Sequence, residues 1–476
     1  MEPTGAESSK RAERPARETV VAASSHEYQR AISYLYERIN YEKTADSAPY
    51  PFRLRRMSEF LDRFDLHGIA GKSVPVIHVA GTKGKGSTAT MVASMLTAGG
   101  FRTGLYTSPH LMRLEERFTV NGTMPSESDV VLMIDSIAIE ADQMARTNLG
   151  VPTFFEMTTA MALMHFRNSQ CNAVVLEVGL GGKLDSTNVC YPAVTAITSI
   201  GFDHQHILGN TLGEIASQKA GIIKDGVPIV SGTVQTEARD VIQQIASRKN
   251  APLFQINTDF SCELKNAISP DDWTTTFDLI SHQAPVRKRT DWTTSLDGDH
   301  QARNACVACA IVDLLALQGY KISDADQKAG LSKVPIAGRI ERFRLPGNLD
   351  VILDTAHNTD SIDALCDCVE RRAQGRPVTV VFGTSRDKEH KPMLARLCQV
   401  ADELILTRYF GNPRYRETSE LKRDLPSGCS ASVIENPQAA VETAIRRYAN
   451  SQLVVICGSF FLAAEVRPLL EKLIQP

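Results

Sequence analysis

Three stretches of this chain carry residue types at spacings suited to phosphate chemistry. The first is the glycine-framed run Gly81-Thr82-Lys83-Gly84-Lys85-Gly86-Ser87-Thr88. Glycine admits positive φ and close backbone approach, so such a run can wrap phosphate oxygens with N–H groups. Lys85 stands where its ammonium reaches β- and γ-phosphates. The generic phosphate-loop pattern is not strictly met, because position 79 is Val and Gly86 separates Lys85 from Ser87. The second stretch is the apolar run Ala173–Val178, which carries the acid Glu177 at its tip. A carboxylate there suits a divalent cation, held directly or through water. The third is Leu353-Asp354-Thr355-Ala356-His357-Asn358, where an acid and a histidine at a strand tip suit ribose and phosphate contacts.

These residues need elements to position them. Val76–Ala80 is short, apolar and rich in β-branched residues, which predicts a buried strand leading into the glycine run. Met91, Val92, Met95 and Leu96 recur at helical spacing behind it, and Ser87 and Thr88 are good helix N-caps. Strand, glycine loop and helix N-terminus together aim N–H groups and a helix dipole at an anion. Further strands are predicted at 103–106, 173–178, 194–200 and 227–230, with helices over 127–147, 152–166 and 212–224 between them. Such alternation implies parallel βαβ units. Residues 253–296 alternate with Thr and Trp, as in a small antiparallel sheet. A helix runs to Leu317, and Val334-Pro335-Ile336-Ala337-Gly338-Arg339 reads as a linker. A second alternation has strands at 351–353, 378–382, 404–406, 432–434 and 453–456. It lacks a GxGxxG fingerprint, so no dinucleotide is assigned to it.

At 476 residues the chain is too long for one core. The expected division is a disordered tail over 1–25, a phosphate-loop ATPase domain over 26–333 and a smaller Rossmann-like domain over 334–476. A hydrophobic content of 43% and a charged content of 22% are those of a globular protein. The net charge of −3 argues against bulk-charge binding to nucleic acid. No apolar run approaches the length of a membrane span. The ten cysteines, including Cys306 with Cys309 and Cys366 with Cys368, read as buried thiols in a reducing cytosol.

The variant loop, followed by Tyr106-Thr107-Ser108-Pro109-His110-Leu111, closely resembles the folylpolyglutamate synthase/dihydrofolate synthase family of the ATP-dependent Mur ligase superfamily. The resemblance implies that Gly81, Thr82, Lys83, Gly84, Lys85, Gly86 and Ser87 bind ATP. It implies that Ser108, Glu177 and His204 hold Mg²⁺, and that Lys219, 15 residues beyond His204, is carbamylated and supports a second Mg²⁺. Gln218 stands where the family usually has Glu. In His300-Gln301-Ala302-Arg303-Asn304-Ala305 the Asn304 side chain is implied at adenine. In Gly338-Arg339-Ile340-Glu341 the Arg339 side chain is implied at phosphates, delivered late by domain closure. Asp354 and His357 match the family's Asp-Gly-Ala-His-Asn, with Thr355 in place of glycine. Asp387 and Lys388 are candidates for the amino-acid site. Phe155 and Glu156, with the loop 111–117, are candidates for a pterin site.

The implied reaction is ATP-dependent addition of L-glutamate to dihydropteroate or a folate through an acyl phosphate. Lys85, Lys219, Arg339 and His357 are the catalytic candidates, in a cytoplasmic monomer acting on small molecules. Another Mur-superfamily amide ligase and a non-catalytic ATP-binding module are the alternatives.

Overall fold

The computed structural model describes residues 25–38, 54–265, 273–346, 349–447 and 452–474. The tail expected over 1–25 lies outside them, apart from Ser25. Three sheets organise the chain. The first contains β1 (Val76–Ala80), β2 (Thr103–Tyr106), β3 (Phe118–Val120), β4 (Ala173–Glu177), β5 (Val194–Ile197), β6 (Ile229–Ser231) and β7 (Leu253–Gln255). Their order is β3-β2-β4-β1-β5-β6-β7, parallel except for the β2–β3 edge. The second is the antiparallel sheet β8 (Phe260–Leu264), β9 (Thr275–Ser281) and β10 (Arg289–Thr294). The third contains β11 (Glu341–Leu345), β12 (Leu349–Leu353), β13 (Val378–Phe382), β14 (Glu403–Leu406), β15 (Ala431–Val433) and β16 (Leu453–Cys457). Its order is β11-β12-β16-β13-β14-β15, and only β11 runs antiparallel.

β1 is fully buried along its length, flanked by β4 and β5. That explains its mostly apolar pattern, broken by His78, whose Nε2 pairs with Thr187 Oγ1 at 2.8 Å, since both faces of a central parallel strand meet helices. The helix Lys85–Ala98 packs Met91, Val92, Met95 and Leu96 into one core with Ala305, Val307, Ile311 and Leu315 of the helix Asp299–Leu317. Each such side chain contributes roughly 1.5–3 kcal/mol on burial. This is the packing that fixes the loop helix beneath its glycines.

Several boundaries differ from the sequence expectation. β5 stops at Ile197 rather than 200, because beyond Thr198 N, which still bonds Ala80 O, Thr198 and Ser199 turn their side chains to the glycine loop. The helix expected over 212–224 ends at Lys219 and tightens into a 3-10 turn over Ala220–Ile222. The helix before Leu317 already begins at Asp299, so Asn304 lies inside it. The linker residues run straight into the edge strand β11. Eight cysteines are free thiols, seven of them buried and Cys262 partly exposed, whereas Cys398 and Cys429 form a disulfide against the expectation. Their Cα atoms stand 6.1 Å apart, a spacing that a disulfide spans, although 31 positions separate them in sequence. Among the described residues no helix is long and apolar enough to cross a membrane.

Candidate active site

Gly84 adopts φ 81° and is the N-cap of the helix Lys85–Ala98. The helix therefore starts earlier than an N-cap at Ser87 or Thr88 would allow. Those two residues lie buried in its first turn, and Thr88 N donates to Gly84 O at 2.9 Å. The N–H groups of Lys85, Gly86 and Ser87 precede the first intrahelical acceptor, so they face the loop. A Cβ on Gly84 would come within 2.3 Å of Asn304 Oδ1, which places that amide against the loop. The loop is pinned from β5. Thr82 N donates to Ser199 O at 2.8 Å, Lys83 N to Ser199 Oγ at 2.9 Å, and Thr198 Oγ1 to Lys83 O at 2.6 Å.

Cations and acids gather around this loop. Lys83 Nζ lies 3.5 Å from Asp203, and Lys85 Nζ lies 3.5 Å from Thr82 O. Lys219, 4% exposed, donates to Gly81 O at 2.9 Å. Burial, reinforced by Lys85, brings its ammonium down from the ordinary 10.5 to about 7. Glu177, also buried, accepts Ser108 N at 3.0 Å, and its two oxygens lie 3.5 and 3.7 Å from where a Gly86 Cβ would sit. Burial raises its carboxyl above the usual range, opposed by Lys85, the Ser108 N–H, Arg339 and Arg117. Asp203 is half-buried, yet Lys83, His204, Lys388 and His357 outweigh that and hold its carboxyl well below the usual range. His204 takes a left-handed backbone at φ 49°, and burial lowers its imidazole to about 4.

The C-terminal sheet brings its own groups to the same place. Arg339 bonds Thr355 and lies over the Phe460 ring at 5.0 Å. His357 pairs through Nδ1 with Thr355 O at 2.8 Å, and burial lowers it to about 3. Lys83, Lys388 and Asp203 all act on His357, so charges from both sheets share one cleft. Lys388 bonds Asp387, which Arg414 also holds at 3.0 Å. Asp354 is committed to the backbone: its two oxygens accept Ile340 N and Ala356 N, each at 2.7 Å. It therefore shapes the turn that carries Arg339. Glu156 is committed too. It closes the N-terminal capping box of the helix Phe154–Asn168 with Thr153 and forms a buried pair with Arg56 at 2.7 Å. The buried Phe155 ring packs beneath Gly179, two residues past Glu177.

Among the described residues no three His, Cys, Asp or Glu side chains gather to hold a metal by themselves. The donors present are a carboxylate, a hydroxyl-bearing residue in contact with it, and an imidazole that is neutral at pH 7. That set fits Mg²⁺, a hard cation that keeps waters and phosphate oxygens in its shell.

Residues 79–312 match the Mur ligase middle domain, and residues 338–460 match the Mur ligase glutamate ligase domain. A dihydrofolate synthase/folylpolyglutamate synthase of Bacillus subtilis is 33% identical over 442 residues, covering 92% of this chain and 98% of the relative. The chain belongs to the folylpolyglutamate synthase/dihydrofolate synthase family. Solved members of that family share its fold. Folylpolyglutamate synthase of Mycobacterium tuberculosis complexed with ADP superposes with a TM-score of 0.81 at 29% identity, covering 94% of this chain and 99% of that one. E. coli FolC in complex with DHPP and ADP superposes at 0.77 and 27% identity, covering 93% and 98%.

For this folylpolyglutamate synthase/dihydrofolate synthase family member, some cleft residues escaped the sequence reading. Asp203 pairs with Lys83, and Asp360 acts on the same lysine from the other sheet. Asp203 precedes a singled-out histidine, which was the available signal. Asp360 had none, since an acid in a helix's first turn is ordinary. Arg117 is buried, donates to His110 Nδ1 at 2.7 Å and acts on Glu177. A fully buried arginine cannot be told from a surface one by sequence spacing.

Proposed function

We propose that this chain is an ATP-dependent ligase that adds L-glutamate to dihydropteroate, to a reduced folate, or to both. The observation that carries this is the shared cleft: Lys83, Lys85, Glu177 and Lys219 from one lobe meet Arg339, His357 and Lys388 from the other. The acid's carboxylate oxygen attacks the γ-phosphorus, the bond to ADP breaks, and an acyl phosphate forms. The glutamate α-amine then attacks the acyl carbon and loses a proton, and inorganic phosphate leaves. Gly81 to Ser87 cradle the triphosphate. Lys85 and Arg339 neutralise charge on the transferring group from opposite lobes. Asn304 lies where it meets the nucleotide, and Asp354 and Thr355 aim Arg339. His357, uncharged at pH 7, serves as a hydrogen-bonding group beside the phosphates, with its tautomer set by Thr355 O.

Ser108, Glu177 and His204 would hold Mg²⁺, which would offset the negative charge of the phosphates. The depressed Lys219 amine supports carbamylation, because only a free amine adds CO₂. Lys388 with Asp387 suits the α-amino acid, offering one charge of each sign. Phe155, under the loop after Glu177, is the better of the two pterin candidates, since Glu156 already serves the fold. The lobes divide at Lys333 and Val334, and the chain works as a cytoplasmic monomer on small molecules. ADP release tests the reading. It is expected only when dihydropteroate or tetrahydrofolate, ATP and glutamate are all present. Release independent of the pterin and the amino acid contradicts it.

A further inference from the structure

One cross-lobe contact lies away from the phosphate cleft. Trp273 precedes β9 in the chain, yet its side chain joins the C-terminal core with Ile352, Ile362, Leu365 and Val369. Its ring lies between two guanidinium groups, Arg342 at 4.4 Å and Arg372 at 5.2 Å. Beside it Asp297, just ahead of the helix Asp299–Leu317, takes a two-pronged bond from Arg372: Nε to Oδ2 at 2.7 Å and Nη2 to Oδ1 at 2.9 Å. Both side chains are about 5% exposed. Cys368 Sγ donates to Asp297 Oδ2 at 3.3 Å, and Arg371 pairs with Asp299.

The elements joined here also reach the reaction centre. Arg372 closes the helix Thr359–Ala373, and Asp360 at the other end acts on Lys83 and lies 3.7 Å from where a Gly201 Cβ would sit. Asp360 and Arg372 are separated by about 18 Å along the helix axis. On the opposite side, Asp297 and Asp299 bracket the start of the helix that bears Asn304. One rigid helix is thus fixed at both ends against the nucleotide lobe. The chain itself joins the lobes only through residues 334–338.

We propose that Trp273, Asp297 and Arg372 form a latch between the lobes, and that Arg372 is a positioning residue for the ligase reaction. It acts through the helix Thr359–Ala373, which sets where His357 and Arg339 stand relative to the glycine loop. A buried, fork-shaped pair fixes orientation because a shifted partner leaves a charge unpaired. The proposal goes beyond the ligase reading and rests on it for its kinetic readout.

The test compares Arg372→Gln and Arg372→Lys with Arg396→Ala in the full-length protein. Arg396 ties the outer side of the same helix to the helix His390–Val400 through Asp367 and Glu370, so it controls for simple loss of an ion pair. Arg372→Gln is expected to lower kcat by about 10-fold to 100-fold, more than it changes KM for ATP. Arg372→Lys keeps the charge but not the fork and recovers part of the loss. Arg396→Ala stays within about twofold of the wild type. Small-angle scattering with an ATP analogue is expected to give a larger radius of gyration for Arg372→Gln alone. Equal loss in Arg372→Gln and Arg396→Ala, or wild-type kcat in Arg372→Gln, overturns the proposal. Should Arg372→Gln fail to fold, wild-type kcat in Arg372→Lys overturns it. A wild-type protein without ligase turnover sinks the functional reading instead, and the scattering comparison still judges the latch.

Discussion

Lys219 shows how burial converts an ordinary residue into a reactive one. Its ammonium is out of water and near Lys85, with the Gly81 carbonyl and the more distant Asp203 and Asp185 favouring its charge. Two like charges in a low-dielectric site disfavour the protonated form, and the group falls from 10.5 to about 7. Free amine is then accessible to Lys219 at neutral pH, whereas an exposed lysine is almost wholly protonated. With isotope-labelled bicarbonate, a carbamate resonance is expected to grow as pH rises through neutrality and to vanish in Lys219→Ala. A signal that grows only near the ordinary lysine range, or persists in Lys219→Ala, contradicts this. The family resemblance singled out Lys219, 15 residues beyond His204. It could not show the burial that depresses the amine, because that burial comes from elements far apart in the chain.

At the scale of elements, the glycine loop works because its backbone is both bent and crowded. Gly84 sits at φ 81° with Asn304 where a side chain would go, while Gly100 sits at φ 87° with open space around it. An alanine at either position carries a backbone cost of roughly 1–2 kcal/mol. Gly84→Ala additionally displaces Asn304, so its KM for ATP is expected to rise about tenfold or more. Gly100→Ala is expected to lose stability and keep the wild-type KM. Steady-state kinetics beside thermal unfolding separates the two. Equal KM values would show that the loop and Asn304 do not work as a pair. The bounds of β1, β2 and β13 were legible to the residue, because short β-branched or aromatic runs with few charges end abruptly at glycine, threonine or polar loop residues. β5 misled, since Thr198 and Ser199 read as strand but serve the loop. Asp354 and Glu156 were legible as important acids. Their hydrogen bonds assign them to turn and helix-cap work that type and spacing do not distinguish from ligand contact.

Across the whole molecule, buried charge pairs do the joining that apolar surface alone cannot orient. Asp313 in the helix Asp299–Leu317 takes two bonds from the buried Arg289 of β10, at 2.8 and 2.9 Å, and Arg289 also bonds Gln327. This locks the small antiparallel sheet to the helix that carries Asn304. Asp313→Ala leaves Arg289 charged and unpaired, so it is expected to cost about 3–5 kcal/mol in urea unfolding. Trp292, 4.9 Å from that guanidinium, reports the change by fluorescence. A loss below about 1 kcal/mol would mean that the pair behaves like an exposed one. Two lobes were legible from the repeated strand–helix alternation, but the ion pairs between and within them were not. The buried ones join residues tens of positions apart, as in Arg289 with Asp313 and Arg372 with Asp297, and nothing in the local pattern marks the partner. The central claim is that an acid accepts the γ-phosphoryl group and is then captured by an amine. Its most direct measurement follows a heavy oxygen isotope placed in the carboxylate of the pterin substrate. The account predicts one labelled oxygen in the inorganic phosphate released with each amide bond. Label appearing in water, or phosphate free of label while amide accumulates, would contradict it.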